Sequence, residues 1–286
     1  MRTTLSTSSV LLMAGWLLAC QPADNSVTPT TTTPTPTPVV SYRVVRTQTN
    51  HPIPTTVEYS YTSAGRLNTS RSAPDADGVW KQLAPTIQYG YDADQRLIGT
   101  EGTIIYRDAA GQETSRVRSH YGTFTNGNAG LPVAYSLYVN TDKQVGRLFE
   151  ERRYGYNAAG RVSQETYVHY EENPAIGPLE TRYQLTYTGD DVTGMDITVL
   201  AGSKLVSTSR TVFEYDDKAN PYFGLMAPEL LPQYRYSRHN VTKQTITSGT
   251  SPANVYTYSL TYAPTGMLSR WDCSDGRNQT FTYEPY

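Results

Sequence analysis

Tyr89-Gly90-Tyr91-Asp92-Ala93-Asp94-Gln95-Arg96-Leu97 is the stretch that decides the fold of this 286-residue chain. Side chains alternate along a strand, so the rings of Tyr89 and Tyr91 share one face while Gly90 points the other way. Asp92 and the small and polar residues behind it then stop the strand, because a short carboxylate side chain bonds well to turn backbone. Arg96 and Leu97 open a returning strand, with the arginine placed to stack on a tyrosine or pair with a turn aspartate. A β-hairpin is the natural unit.

The unit recurs at Tyr59-Ser60-Tyr61 through Arg66-Leu67 and at Tyr154-Gly155-Tyr156-Asn157-Ala158-Ala159-Gly160-Arg161-Val162. Weaker copies run from Leu185 to Val192 and from Leu260 to Leu268, and a partial one runs from Tyr106 to Gly111. The second tyrosines fall at 61, 91, 156 and 187, which fits a period of about 31 with one unit degenerate between 91 and 156. Further alternating runs such as Glu165–Tyr170 and Tyr256–Tyr262 fill the intervals, and turn chemistry such as Ala73–Gly78, Asn126–Gly130 and Glu172–Pro174 separates them. Composition agrees: 24 tyrosines stand against 5 phenylalanines and 3 tryptophans, a bias toward rings that pack while the hydroxyl finds a polar partner. The expectation for residues 41–286 is one all-β domain of repeated antiparallel hairpins, forming a long, twisted, open or partly closed meander sheet. The segment from Tyr222 to Gln233 departs from the pattern, and its prolines at 228 and 232 suggest a short helical turn covering a sheet end.

The N-terminus reads as an address. Val10 to Ala19 is apolar but far shorter than the roughly 20 residues a spanning helix needs, and Leu17-Leu18-Ala19-Cys20 has the form of a lipobox. Residues 1–19 are therefore expected to be a lipoprotein signal peptide and Cys20 the lipid attachment site. Residues 20–40 are a Thr/Pro-rich stalk whose alternating prolines fix φ and prevent sheet pairing. The expected location is the outer membrane, lipid-anchored, on either its periplasmic or its outer side.

Phe213-Glu214-Tyr215-Asp216-Asp217-Lys218-Ala219-Asn220-Pro221-Tyr222 resembles the Asp-Lys-x-Asn-Pro-Tyr signature of Bacteroidota-type lipoproteins that carry a lipobox, a low-complexity linker and tyrosine-rich hairpins. The hairpin units themselves resemble the YD repeat of Rhs, wall-associated and teneurin-like proteins, with Gln95 standing where that pattern has glycine and Asn157 where it has aspartate. The resemblance implies fold and cellular address and carries no activity with it. Asp217, Lys218, Asn220, Pro221 and Tyr222 are expected to lock a turn and bury a ring.

Charge and motif composition exclude several function classes. Lysine and arginine number 24 against 26 acidic residues, giving no basic surface for nucleic acid. The four histidines and two cysteines have no metal-ligand spacing, Asp75-Ala76-Asp77-Gly78 reads as a turn rather than a calcium loop, and Cys273 lacks an activating base. No cofactor is expected. No nucleophile elbow or zinc-protease motif occurs, and adjacent carboxyls such as Glu150-Glu151 point to opposite faces of a strand. What remains is a non-catalytic binding or scaffold module of the envelope, engaging a glycan, peptide or partner protein by sheet face or edge. Its candidate platform is Tyr61, Tyr91, Tyr156 and Tyr187 with Arg66, Arg96 and Arg161. The alternatives are a purely structural envelope component, which would bury its tyrosines, and an enzyme acting on cell-surface polysaccharide, which would bring two carboxyls into one pocket.

Overall fold

The computed structural model describes residues 41–50, 55–74, 83–107, 112–127, 129–140, 146–171, 177–225 and 230–286. Cys20, the signal peptide, the stalk and the Asp75–Gly78 turn lie outside the described residues. The strands in chain order are β1 (Tyr42–Thr49), β2 (Thr55–Tyr61), β3 (Leu67–Pro74), β4 (Leu83–Tyr91), β5 (Leu97–Arg107), β6 (Glu113–Asn126), β7 (Pro132–Val139) and β8 (Arg147–Tyr156). They continue as β9 (Val162–His169), β10 (Leu179–Thr188), β11 (Asp191–Ala201), β12 (Lys204–Ala219), β13 (His239–Ser248), β14 (Asn254–Tyr262), β15 (Leu268–Cys273) and β16 (Asn278–Pro285). One short helix, α1 (Pro232–Tyr236), lies between β12 and β13.

Every strand pairs antiparallel with its sequence neighbours, as the hairpin repeat requires. The open or partly closed sheet is corrected, because β1 pairs with β16 from Tyr42↔Pro285 to Thr49↔Gln279 and the sheet is a closed barrel. Closure satisfies the two rows of backbone donors and acceptors that an open meander would leave at its edges. Among the described residues no edge strand is therefore left for a partner to extend.

The hairpin turns share one construction. In three of them the first residue's N–H donates to the carbonyl four residues on: Thr62 to Arg66 at 2.8 Å, Asp92 to Arg96 at 3.0 Å and Asn157 to Arg161 at 2.9 Å. The residue before the arginine takes positive φ, 76° at Gly65 and 73° at Gly160, which produces the bulge seen in the register of the pairs that follow. Gln95 takes the same conformation at φ 60° and is the single non-glycine residue to do so among the described residues. Asp92 Oδ1 receives the amides of Asp94 and Arg96 at 2.9 Å, and Asn157 Oδ1 does the same for Ala159 and Arg161 at 3.0 Å. The degenerate unit between 91 and 156 is also a hairpin, built on Gly127 N–H to Leu131 O at 2.8 Å, with Phe124 and Asn126 in place of the two tyrosines.

The two faces of the barrel wall differ sharply. Inside, Leu67, Tyr89, Leu97, Phe124, Tyr135, Tyr154, Leu185, Met195 and Phe213 are buried in one continuous cluster. Outside, the register runs Gln164↔Gln184↔Asp196↔Arg210↔Thr247 across β9 to β13, and Arg182↔Thr198↔Thr208 runs beside it. On this part of the wall charged and amide side chains face outward at mid-strand, with Val212 exposed among them, whereas on a lipid-facing wall each charge at the bilayer midplane costs about 2–4 kcal/mol. The outer face of β9 to β13 is built for water.

A barrel of 16 strands is wide enough to leave a channel. Here the described residues of the β12–β13 connection fold inward, with Tyr222 and Arg235 buried and Leu230, Tyr234 and Tyr236 packed against the core. Asn220 clamps its two ends: Nδ2 donates to the carbonyls of Tyr234 at 2.8 Å and Ser237 at 2.7 Å, and Oδ1 accepts the Tyr222 amide at 2.9 Å. Tyr222 then lies against Phe281 and Tyr234, with ring centroids 5.7 and 6.1 Å away. A single helical turn forms at Pro232–Tyr236, later than expected and overlapping the Tyr222–Gln233 segment only at Pro232 and Gln233, and it buries Pro232, Gln233 and Arg235.

Candidate functional site

Meander connectivity puts every even-to-odd turn at the same end of the barrel, so the motif turns of β2–β3, β4–β5, β6–β7, β8–β9 and β10–β11 form one rim. Below that rim runs a ring of hydrogen bonds. A tyrosine near the end of one strand donates its hydroxyl to a carbonyl at or near the start of the strand before it. Tyr91 reaches Leu67 at 2.8 Å, Tyr187 reaches Val162 at 2.8 Å, Tyr215 reaches Val192 at 2.6 Å and Tyr283 reaches Leu268 at 2.7 Å. Tyr61 and Tyr156 make the equivalent bonds to Val44 at 2.6 Å and Pro132 at 2.5 Å. In the degenerate hairpin Asn126 Nδ2 substitutes, reaching Leu97 O at 3.2 Å. The ring breaks at β14, where Tyr262 donates to Asp216 Oδ2 instead, because the inward-folded connection precedes β13. Burial pushes the Tyr156 and Tyr187 hydroxyls up to about 12, so they remain donors well above neutral pH.

Two hollows lie along this rim and share Leu131, Pro132 and Gly224 as a common wall. The larger, of about 450 Å³, has Tyr156, Tyr187, Tyr236 and Phe223 on its sides, Arg161 and Asp190 among its lining, and Arg235 in its wall. The smaller, of about 310 Å³, takes Arg66, Tyr91, Asp94, Gln95, Arg96 and Asn126. Of the seven residues expected to form a platform, Tyr91, Tyr156, Tyr187, Arg66, Arg96 and Arg161 are thus brought together at one rim. Tyr61 lines neither hollow; its ring packs beneath the Arg43 guanidinium, 4.5 Å from the centroid. The tyrosines form the inner wall of the barrel rather than an exposed sheet face, since each is half-buried with its hydroxyl committed to backbone.

The arginines are held in the two ways their spacing allows. Arg96 pairs with Asp92 at 2.7 Å and Asp94 at 2.9 Å, while Arg161 lies over the Tyr187 ring at 5.4 Å and 3.7 Å from Asp190. Asp217 and Lys218 form an exposed pair at 3.2 Å and do not enter the lumen.

Sequence reading missed the polar centre of the lumen. Arg235, buried on α1, donates to both Glu165 carboxylate oxygens at 2.8 and 2.7 Å; Arg152 reaches the same carboxylate at 2.9 Å and Glu150 at 2.7 Å. The Tyr236 hydroxyl adds a third donor to Glu165 at 3.0 Å. Burial alone would raise the Glu165 carboxyl, but Arg235 and Arg152 outweigh it and hold it below the usual carboxylate range. Glu150 and Glu165 therefore converge as ion-paired bases around arginine, not as the acid and base of a hydrolase. The available signal was a glutamate at the inward phase of β9, between Val162 and Tyr167. Among the described residues no cluster of histidine, cysteine and carboxylates forms that could hold a metal ion.

No protein-family model and no curated protein matches the chain. Among solved structures it is similar to a porin-like protein from Bacteroides uniformis ATCC 8492, at 15% identity over 84% of this chain and 96% of that one, with a TM-score of 0.49. A porin-like protein from Bacteroides vulgatus ATCC 8482 follows at 8% identity, covering 86% of this chain and 100% of that one, with a TM-score of 0.40. A TcdB2-TccC3 structure without its hypervariable C-terminal region matches 77% of this chain and 12% of its own length, at 14% identity and a TM-score of 0.16.

Proposed function

We propose that this protein is a cell-envelope lipoprotein whose barrel is a non-catalytic binding module, tethered through Cys20 and the Thr/Pro stalk, with its ligand held at the turn-rich rim. The observation that carries the reading is the polarity of the wall. A barrel with Arg182, Gln184, Asp196 and Arg210 facing outward at mid-strand interrupts any continuous apolar band around its wall, so a tether is what would keep it at a membrane. Binding is supported by the rim, where hollows of about 450 and 310 Å³ match the size of small-ligand sites and mix aromatic walls with a few fixed polar groups.

The purely structural reading also has an observation in its favour, since the tyrosine hydroxyls serve the barrel itself. It leaves the rim hollows without a use. Cell fractionation of the full chain and of Cys20→Ser tests the tether: the wild type is expected with membranes, and the variant in the soluble fraction, folded without detergent. A Cys20→Ser chain that stays in the membrane, or that folds only in detergent, overturns the reading.

A further inference from the structure

We infer that the ligand at the rim is a neutral oligosaccharide chain, with one sugar ring in the larger hollow, the next in the smaller, and Arg235 Nε as the buried donor that fixes the first. This rests on the binding reading above and names its substrate class.

The first observation is an orphan donor. Both carboxylate contacts of Arg235 run through Nη2, and its Nε is buried with no partner. An unpaired guanidinium N–H deep in a protein is destabilising, a penalty that an acceptor entering the hollow would remove. Arg235 is 2% exposed and lines the larger hollow, so an acceptor that reaches Nε enters from the rim. A second buried orphan, Asn126 Oδ1, belongs to a residue lining the neighbouring hollow and is an acceptor. One donor and one acceptor, one in each hollow, suit hydroxyl groups, which both give and take hydrogen bonds.

The second observation is the walls. Tyr156, Tyr187 and Tyr236 have spent their hydroxyl protons on Pro132, Val162 and Glu165, so they offer ring surface to an occupant rather than donors. Phe223 is 50% exposed at the same hollow, an aromatic ring on the connection loop. Ring faces of this kind pack against the C–H face of a pyranose.

The third observation is charge. Arg96 is held by Asp92 and Asp94, Arg161 by Asp190, and Arg235 by Glu165. Arg66, which lines the smaller hollow beside Asp94, is the one lining arginine without an ion pair among the described residues; the other three are matched, which favours an uncharged ligand over an acidic one. The shared wall of Leu131, Pro132 and Gly224 sets the hollows side by side, as successive residues of one chain require.

The full-length protein in detergent micelles is applied to an array of neutral and acidic oligosaccharides and, in parallel, to a random peptide array. Neutral oligosaccharides are expected to bind, with affinity falling at least tenfold in Phe223→Ala and unchanged in Leu205→Ala, which alters an exposed side chain on the β11–β12 hairpin. Circular dichroism and melting of Phe223→Ala should match the wild type, since the ring is half exposed. Acidic saccharides or peptides captured instead, and lost in Phe223→Ala, would overturn the neutral-oligosaccharide assignment and leave the rim as the binding site. Capture that is indifferent to Phe223→Ala, or none on either array, would overturn both.

Discussion

The Tyr91 hydroxyl donates to the Leu67 carbonyl across 2.8 Å, joining the last residue of one strand to the first residue of its neighbour. Leu67 opens one hairpin's returning strand and Tyr91 closes the next hairpin's outgoing strand, so each repeat is stitched to the one before it. The repeated Tyr-x-Tyr therefore has a divided role. Its first ring fills the lumen, and its second supplies the stitch.

Removing one stitch should be measurable. Tyr91→Phe or Tyr187→Phe keeps the ring and leaves the Leu67 or Val162 carbonyl without its donor, which is expected to cost about 1–3 kcal/mol in urea denaturation. Tyr106→Phe, on a ring 40% exposed, should change stability by less than about 0.5 kcal/mol. Equal effects at all three positions would refute the role assigned to the ring of hydrogen bonds.

Gln95 occupies a left-handed turn position where its counterparts are Gly65 and Gly160. A side chain there costs about 1–2 kcal/mol in local strain, while glycine returns roughly half of that through the flexibility it adds to the unfolded chain. Gln95→Gly is expected to raise stability by about 0.5–1 kcal/mol, read as a higher denaturation midpoint at an unchanged slope.

The Arg235–Glu165 pair fastens the inward connection to β9. Glu165→Gln leaves Arg235 and Arg152 short of a counter-charge in the lumen and should destabilise by about 3–5 kcal/mol. Replacing both partners by Glu165→Leu and Arg235→Met should cost clearly less than the sum of the two single changes, giving a coupling energy in a double-mutant cycle. Additive losses would show that the pair is not the fastening.

Alkaline pH should unfold the barrel in a defined window. Burial pushes the Tyr154, Tyr156 and Tyr187 hydroxyls up to about 12, whereas in the unfolded chain they ionise near 10. Their folded pKa values are raised, so the stability they contribute is complete below about pH 10 and drains away as pH climbs toward about 12. Urea midpoints at pH 7, 9 and 11.5 should be level between the first two and fall at the third.

Local chemistry was legible in the sequence because it acts over a few residues. Alternation put Tyr89 and Tyr91 on one face, Asp92 and Asn157 announced their side-chain bonds to the turn, and the period near 31 identified one hairpin after another. Phe124 and Asn126 hid the degenerate hairpin, since they perform its ring and donor roles with different residue types.

Three features belong to the tertiary structure alone. Whether β1 meets β16 depends on strand number, tilt and stagger summed around the whole sheet, and no single hairpin carries that sum. Which face of the tyrosine rows is buried follows from closure, which turned an apparent surface platform into a lumen wall. The partnership of Glu165 with Arg235, 70 residues apart, exists because the β12–β13 connection turns inward, and a buried charge can find its counter-charge only once the barrel wall stands around it.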